Sequence, residues 1–219
     1  MGEITMNKIL KRESVFRGEA AIKKLAQVQI TIAGAGTLGS NLAENLTRQG
    51  IENLRLIDMD RVEVENIGPQ IYSMDDIGAL KVDAAASRIY NNVEIEIDAI
   101  NKELTNKNVA KLFKGSDLIV DAFDNQSSRQ LVYDHCRNVE IPCLHVGMFE
   151  GYGEVVWNDA YVVPQDSDED LCDYPMARNL AMLVTTVAAE EIIDYVIADS
   201  PRLKSWSMTL NDLKIGAYG

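Results

Sequence analysis

The chain reads as a doubly wound α/β protein, a Rossmann-like, mostly parallel sheet flanked by helices. Three observations predict it. Apolar, β-branched runs at 28–33 and 117–120 lack polar alternation, as expected of strands buried on both faces. Stretches with helical periodicity separate such runs, which is the order a parallel sheet with crossover helices requires. The stretch ITIAGAGTLGSNLAENL, residues 30–46, leads a strand into Gly34, Gly36 and Gly39 at G-x-G-x-x-G spacing and then into an amphipathic helix.

The elements follow in order. Residues 16–26 predict a helix with Ile22 and Leu25 on one face, and 28–33 the first strand. Residues 38–49 continue as a helix closed by Gly50 at a C′-like position. Residues 53–57 form a second strand ending in Asp58, 79–90 a helix, and 93–97 alternate like a strand. A short helix at 109–113 precedes the strand at 117–120. Asn125 then caps a helix running to about Arg137. Residues 142–146 are strand-like, 153–163 hold one or two extended segments, 177–197 form a mostly buried helix, and 206–210 a last strand. In such sheets a ligand sits beyond the carboxyl ends of the strands, which places 34–39, 58–60 and 121–125 around one crevice.

Composition narrows the function. With 47% hydrophobic and 25% charged residues the chain is ordinary for a globular protein, and 219 residues suffice for a real core. No repeat, low-complexity tract or linker interrupts it, so one domain over 1–219 is expected. A formal net charge of −13 argues against nucleic acid or an anionic membrane as partner, since both need a cationic footprint. No apolar run approaches the roughly 20 residues of a membrane span. MGEITMNKILKRES lacks the apolar core of a secretory leader. Three cysteines, Cys136, Cys143 and Cys172, suit a reducing cytoplasm. Without any C-x-x-C pair, no structural zinc is expected.

The glycine turn points to a phosphate. Gly34 makes the tight turn, Gly36 lets backbone approach phosphate, and Gly39 lets helix pack on strand. Asp58 and Asp60 follow at about the 20-residue distance of a ribose-binding acid. No Gly-Lys-Ser/Thr follows, so this is not a P-loop. The ligand therefore carries ribose and phosphates, with adenine nucleotides first.

Beyond that fingerprint the chain continues with LIDMDRVEVENIGPQIY, GALKV and LIVDAFDN. Together with KRESVFRG upstream and VGMFEGYGEVVW downstream, these resemble the E1-like adenylating enzymes, the superfamily of ThiF, MoeB, HesA and the ubiquitin-activating enzymes, in several separated motifs over roughly 10–160. The resemblance implies a ThiF-type domain that joins the C-terminal carboxylate of a ubiquitin-like or sulfur-carrier protein, or a peptide, to AMP from ATP with release of pyrophosphate. It implies Arg12, Lys81 and Asp124 as catalytic residues. Gly34, Gly36, Gly39, Asp58, Asp60, Asn66, Lys81 and Asn125 would bind the nucleotide, and Asp124 would hold Mg²⁺. By family position Asp60 is the ribose ligand and Asp58 a supporting acid. Arg12 would reach the phosphates of a second subunit in trans, which requires a homodimer. Arg17 occupies the segment's second arginine position, and Arg129 matches a further family arginine that a helix-surface role explains equally well.

The chemistry suits these residue types. A carboxylate attacking an α-phosphorus brings anions together, so the site must supply cations and position. The attacking carboxylate is already ionised at neutral pH, so no general base is needed, and His135 and His145 read as structural. Three departures from the family pattern stand out. Pro69 occupies the place of an arginine in N-L-x-R-Q, with Gln70 retained. The zinc-binding cysteine pairs of many relatives are missing. Cys172, in the region where thioester-forming relatives carry a nucleophile, is flanked by Asp168, Glu169, Asp170 and Asp173, which disfavour a thiolate. Two alternatives stay open: an NAD-dependent oxidoreductase, and a catalytically degenerate partner subunit.

Overall fold

The computed structural model describes residues 8–165, 176–198 and 200–218. The elements are α1 (Lys11–Arg17), α2 (Glu19–Gln27), β1 (Gln29–Ala33), α3 (Thr37–Arg48), β2 (Asn53–Asp58), α4 (Lys81–Val93), β3 (Asp98–Asn101), α5 (Val109–Leu112), β4 (Leu118–Asp121), α6 (Gln126–Val139), β5 (Cys143–Phe149), β6 (Tyr152–Trp157), α7 (Arg178–Ile197), β7 (Ser205–Thr209) and β8 (Lys214–Tyr218).

One sheet runs in the order β3-β2-β1-β4-β5-β6-β7-β8. Its first five strands are parallel and the last three antiparallel. The doubly wound fold is therefore present, with an antiparallel extension at one edge. Both faces of β1 and β4 are covered, which explains their continuous apolar sequence. In β4, Leu118 and Val120 join the core beneath α3, α4 and α7, while Ile119 joins Leu112, Val132 and Cys136 on the opposite side. The apolar helix α7 is buried along most of its length. Its interior Glu191 is fully engaged, accepting from the Trp157 and Trp206 indoles at 3.0 and 2.8 Å and from the Lys204 N–H at 2.9 Å.

Three elements differ from expectation. The helix expected over 16–26 is two helices, because Gly18 turns the backbone at φ 90° between them. The strand expected at 93–97 lies at Asp98–Asn101, since Val93 closes α4 and Glu94 takes the left-handed conformation that ends it. The edge strand β8, whose residues are exposed, was not anticipated.

Chain order reverses at β1, which pairs with β2 on one side and β4 on the other. A crevice opens at the carboxyl ends of these strands, as the switch point of a doubly wound sheet requires. Among the described residues, no helix is long and apolar enough to cross a membrane.

Candidate active site

The glycine turn is fixed by its neighbours. Gly34 has φ 103°, and a Cβ there would lie 2.9 Å from the Ala122 carbonyl oxygen, so the loops after β1 and β4 touch. At Gly39 a Cβ would overlap the Gly34 carbonyl, which is why α3 can start so close to the strand. Gly36 has a negative φ, −74° with ψ −152°, and open space where a Cβ would be. Ala35 is held on both sides: its N–H donates to Asp58 Oδ2 at 2.6 Å, and its carbonyl accepts the Tyr72 hydroxyl at 2.8 Å.

The two acids after β2 divide their work. Asp58 is buried, and its second oxygen accepts the Asp60 N–H at 2.7 Å. Burial raises its pKa, and the two backbone hydrogen bonds oppose that rise. Asp60 is the exposed partner, taking a hydrogen bond from Lys81 Nζ at 3.0 Å. Lys81, the first residue of α4, is largely buried, and its N–H also bonds the Asp60 carbonyl at 2.9 Å. It is thus no solvated helix-start lysine.

Across the crevice, Asn125 caps α6, its side-chain oxygen accepting the Ser128 N–H at 2.9 Å and the Ser127 hydroxyl at 2.8 Å. Asp124 is exposed beside it, with the Asn125 amide at a long 3.5 Å. Asp124, Gly36, Thr37, Phe149, Tyr152 and Glu154 contribute to a cavity of about 420 Å³. Glu154 is mostly buried, and burial pushes its pKa up against the pull of Arg129 and His145. Cys136 and Cys143 are buried, and burial raises the Cys143 thiol well above its usual value.

Other residues named from the sequence lie elsewhere. Asn66 sits in a short 3₁₀ turn, where its side-chain oxygen accepts the Glu63 N–H at 2.9 Å. Arg12 is exposed on α1, outside the cavity lining, and makes no hydrogen bond among the described residues. Arg17 is engaged with Glu13, Gln49 and Glu190. Arg129 does not lie on a helix surface: its guanidinium is buried, donating to the Tyr161 hydroxyl at 2.8 Å and the Val146 carbonyl at 3.0 Å. Cys172 lies outside the described residues. Tyr72 and Glu154 were missed. An acid at an inward-facing position of GYGEVVW was the available signal for Glu154.

The ThiF family profile matches residues 10–213, nearly the whole chain. The chain belongs to the ThiF family. It is 33% identical over 148 residues to the sulfur carrier protein ThiS adenylyltransferase of Bacillus subtilis, covering 65% of this chain and 44% of that protein. It is 31% identical over 133 residues to the SAMP-activating enzyme E1 of Haloferax volcanii, covering 60% and 49%. It is 35% identical over 133 residues to the tRNA threonylcarbamoyladenosine dehydratase of Escherichia coli, covering 59% and 50%. The chain thus spans about half the length of the curated relatives it matches. Among solved structures, Escherichia coli MccB with MccA-N7isoASN superposes with TM-score 0.84 at 17% identity, covering 97% of this chain and 71% of that one. PaaA superposes with TM-score 0.79 at 22% identity, covering 100% and 74%. Identities this low show the shared fold alone.

Proposed function

We propose that this ThiF-family chain, as one adenylation domain, is an ATP-dependent adenylyltransferase. It activates the C-terminal carboxylate of a ubiquitin-like or sulfur-carrier protein, or of a peptide, and a C-terminal glycine would bring least bulk to the crevice. The observation that carries this reading is the crevice itself. A glycine turn open at Gly36 shares its cavity with Asp124, whose carboxylate has little protein engagement, and is linked through Ala35 and Asp58 to the Asp60 that pairs with Lys81. A dinucleotide-oxidising site has no need of Asp124 or of the Lys81–Asp60 pair. The names of the ThiS and SAMP relatives support the same reading.

Asp60 would take the ribose hydroxyls, while Asp58 holds the turn's backbone in place. Backbone N–H groups at the start of α3 would face phosphate oxygens. Lys81 would stabilise negative charge that shifts onto the phosphates in the transition state. One oxygen of the substrate carboxylate attacks the α-phosphorus, and the bond from that phosphorus to the β-bridging oxygen breaks. Acyl-adenylate and pyrophosphate result, with no proton transferred. Among the described residues no cluster of three His, Cys, Asp or Glu side chains is assembled. The exposed Asp124 carboxylate, with little protein engagement, suits Mg²⁺ held by one carboxylate together with substrate phosphates. Mg²⁺ bound there would neutralise phosphate charge.

Arg12 is exposed outside its own cavity, and its side chain makes no hydrogen bond among the described residues, which favours its service to a second copy of the chain in a homodimer. The dehydratase relative is named for a tRNA nucleoside, and the net charge of −13 disfavours an RNA substrate here. The protein would work in the cytoplasm.

The test is thermal stabilisation by ATP with Mg²⁺ beside NAD⁺, followed by ATP–pyrophosphate exchange. A ligand at 100 times its Kd adds about 2.7 kcal/mol. Stabilisation by ATP and not by NAD⁺ is expected, and stabilisation by NAD⁺ alone would refute adenylation.

A further inference from the structure

Cationic groups near the glycine turn are few, and most are already engaged. Lys81 is paired with Asp60, and Arg129 is buried with both terminal nitrogens bonded. Arg61 sends Nη1 to the Gly78 carbonyl at 2.6 Å. Arg178, the first residue of α7, is differently placed. Its Nη1 donates to the carbonyls of Gly68 and Pro69 at 3.0 and 2.9 Å, with the Gln70 carbonyl at 3.4 Å.

That anchor is linked by hydrogen bonds to the start of α3, and Arg178 itself is exposed and lies outside the cavity lining. The Pro69 carbonyl also accepts from the Asn41 amide at 2.9 Å, and the same amide nitrogen bonds the carbonyl of Thr37, the first residue of α3, at 2.7 Å. Two residues before Arg178, Met176 Sδ accepts the Thr37 hydroxyl at 3.3 Å, and both Met176 and Thr37 line the cavity. Arg178 is therefore tied to the first turn of α3 through the Pro69 carbonyl and the Asn41 amide. Its Nε and Nη2 make no hydrogen bond among the described residues. A guanidinium anchored through one nitrogen, with its other edge free, is pre-organised for bidentate contact with phosphate.

We propose that Arg178 binds the β- and γ-phosphates of ATP through Nε and Nη2 while Nη1 stays on the 68–70 loop, holding the group that leaves as pyrophosphate. The assignment rests on the adenylation reading. It differs from a loop latch in one respect: it requires phosphates beyond the first.

Binding of ATP and of AMP, each with Mg²⁺, is measured by calorimetry for the wild-type chain, Arg178→Ala and Arg178→Lys. The expected result is an ATP Kd raised at least about tenfold by Ala and less by Lys, with AMP binding changed less than about twofold. Parallel loss of ATP and AMP, with a lowered melting temperature, makes Arg178 a latch and overturns the proposal. Unchanged ATP binding in Arg178→Ala overturns it as well and leaves adenylation standing. A wild-type chain that binds no ATP overturns both.

Discussion

His145 Nδ1 lies 2.8 Å from Asp121 Oδ2, and both residues are fully buried. The other imidazole nitrogen meets Asn158 Oδ1 at 2.8 Å, Tyr161 stacks on the ring at 3.7 Å, and the Tyr161 hydroxyl accepts from Arg129. Asp121 Oδ1 accepts the Phe123 N–H at 3.1 Å, so this buried network shapes the loop that carries Asp124. Asp121→Ala strands the imidazole and removes a carboxylate 3.7 Å from the Arg129 guanidinium. Breaking a buried pair from one side costs about 3–5 kcal/mol. Urea unfolding of Asp121→Ala should show a loss in that range, and a loss below about 1 kcal/mol would mean the network adds little.

Lys81 and Asp124 are expected to act on the reaction and not on the fold. Asp124 is exposed and Asp60, the partner of Lys81, is half exposed, while the buried Asp58, which loses the nearby Lys81 charge in Lys81→Ala, keeps its two backbone hydrogen bonds. Lys81→Ala and Asp124→Ala should each lower ATP–pyrophosphate exchange by about 10²-fold or more, with melting temperatures near wild type. Unaltered exchange would remove the residue concerned from the mechanism.

Much of this site was legible because its signals are local. The glycine turn, the acids ending β2 and the cap Asn125 each depend on residues within a few positions. What escaped reading depends on distant partners. Arg129 sits on a helix that reads as polar, and its burial becomes visible only when Tyr161 and Val146 are brought beneath it. The misplaced strand has a similar cause. Val93, Ile95 and Ile97 alternate as a strand would, yet Val93 completes the apolar face of α4 and Ile95 is buried in the connection. The edge strand β8 lacks an inward apolar face, so no periodicity announces it.

Glu154 makes a pH-dependent prediction. Burial favours its neutral form, so its folded pKa exceeds the unfolded value. Its contribution to stability is complete below the unfolded pKa and is lost as pH rises through the folded pKa. Glu154→Gln keeps the shape and removes the titration. The stability of wild type minus that of Glu154→Gln should therefore fall as pH rises from about 4, then level off. A difference flat with pH would show the Arg129 and His145 field balancing burial, and one that grows would show it outweighing burial.

Service by Arg12 in trans has a stoichiometric signature. Arg12→Ala and Lys81→Ala homodimers should both be inactive in exchange. After random subunit mixing, half the dimers carry both variants, and one of the two sites in each is intact, so about one site in four regains activity. No recovery, with mixed dimers verified by mass, would exclude exchange of the arginine between subunits.

The glycines of the turn separate folding from binding. Gly39→Ala drives a methyl into the Gly34 carbonyl, which is backbone and cannot swing aside, so α3 must shift off β1. Overpacking of this kind costs about 1–3 kcal/mol. Gly36→Ala meets nothing in the protein, and its φ of −74° suits alanine with ψ −152° lying a little past the broad β region. Its stability should lie within about 0.5 kcal/mol of wild type. The same methyl would occupy the space through which a phosphate approaches the start of α3, so ATP stabilisation should be lost in Gly36→Ala while the apo protein melts normally. If Gly36→Ala binds ATP as wild type does, the nucleotide does not lie against this turn.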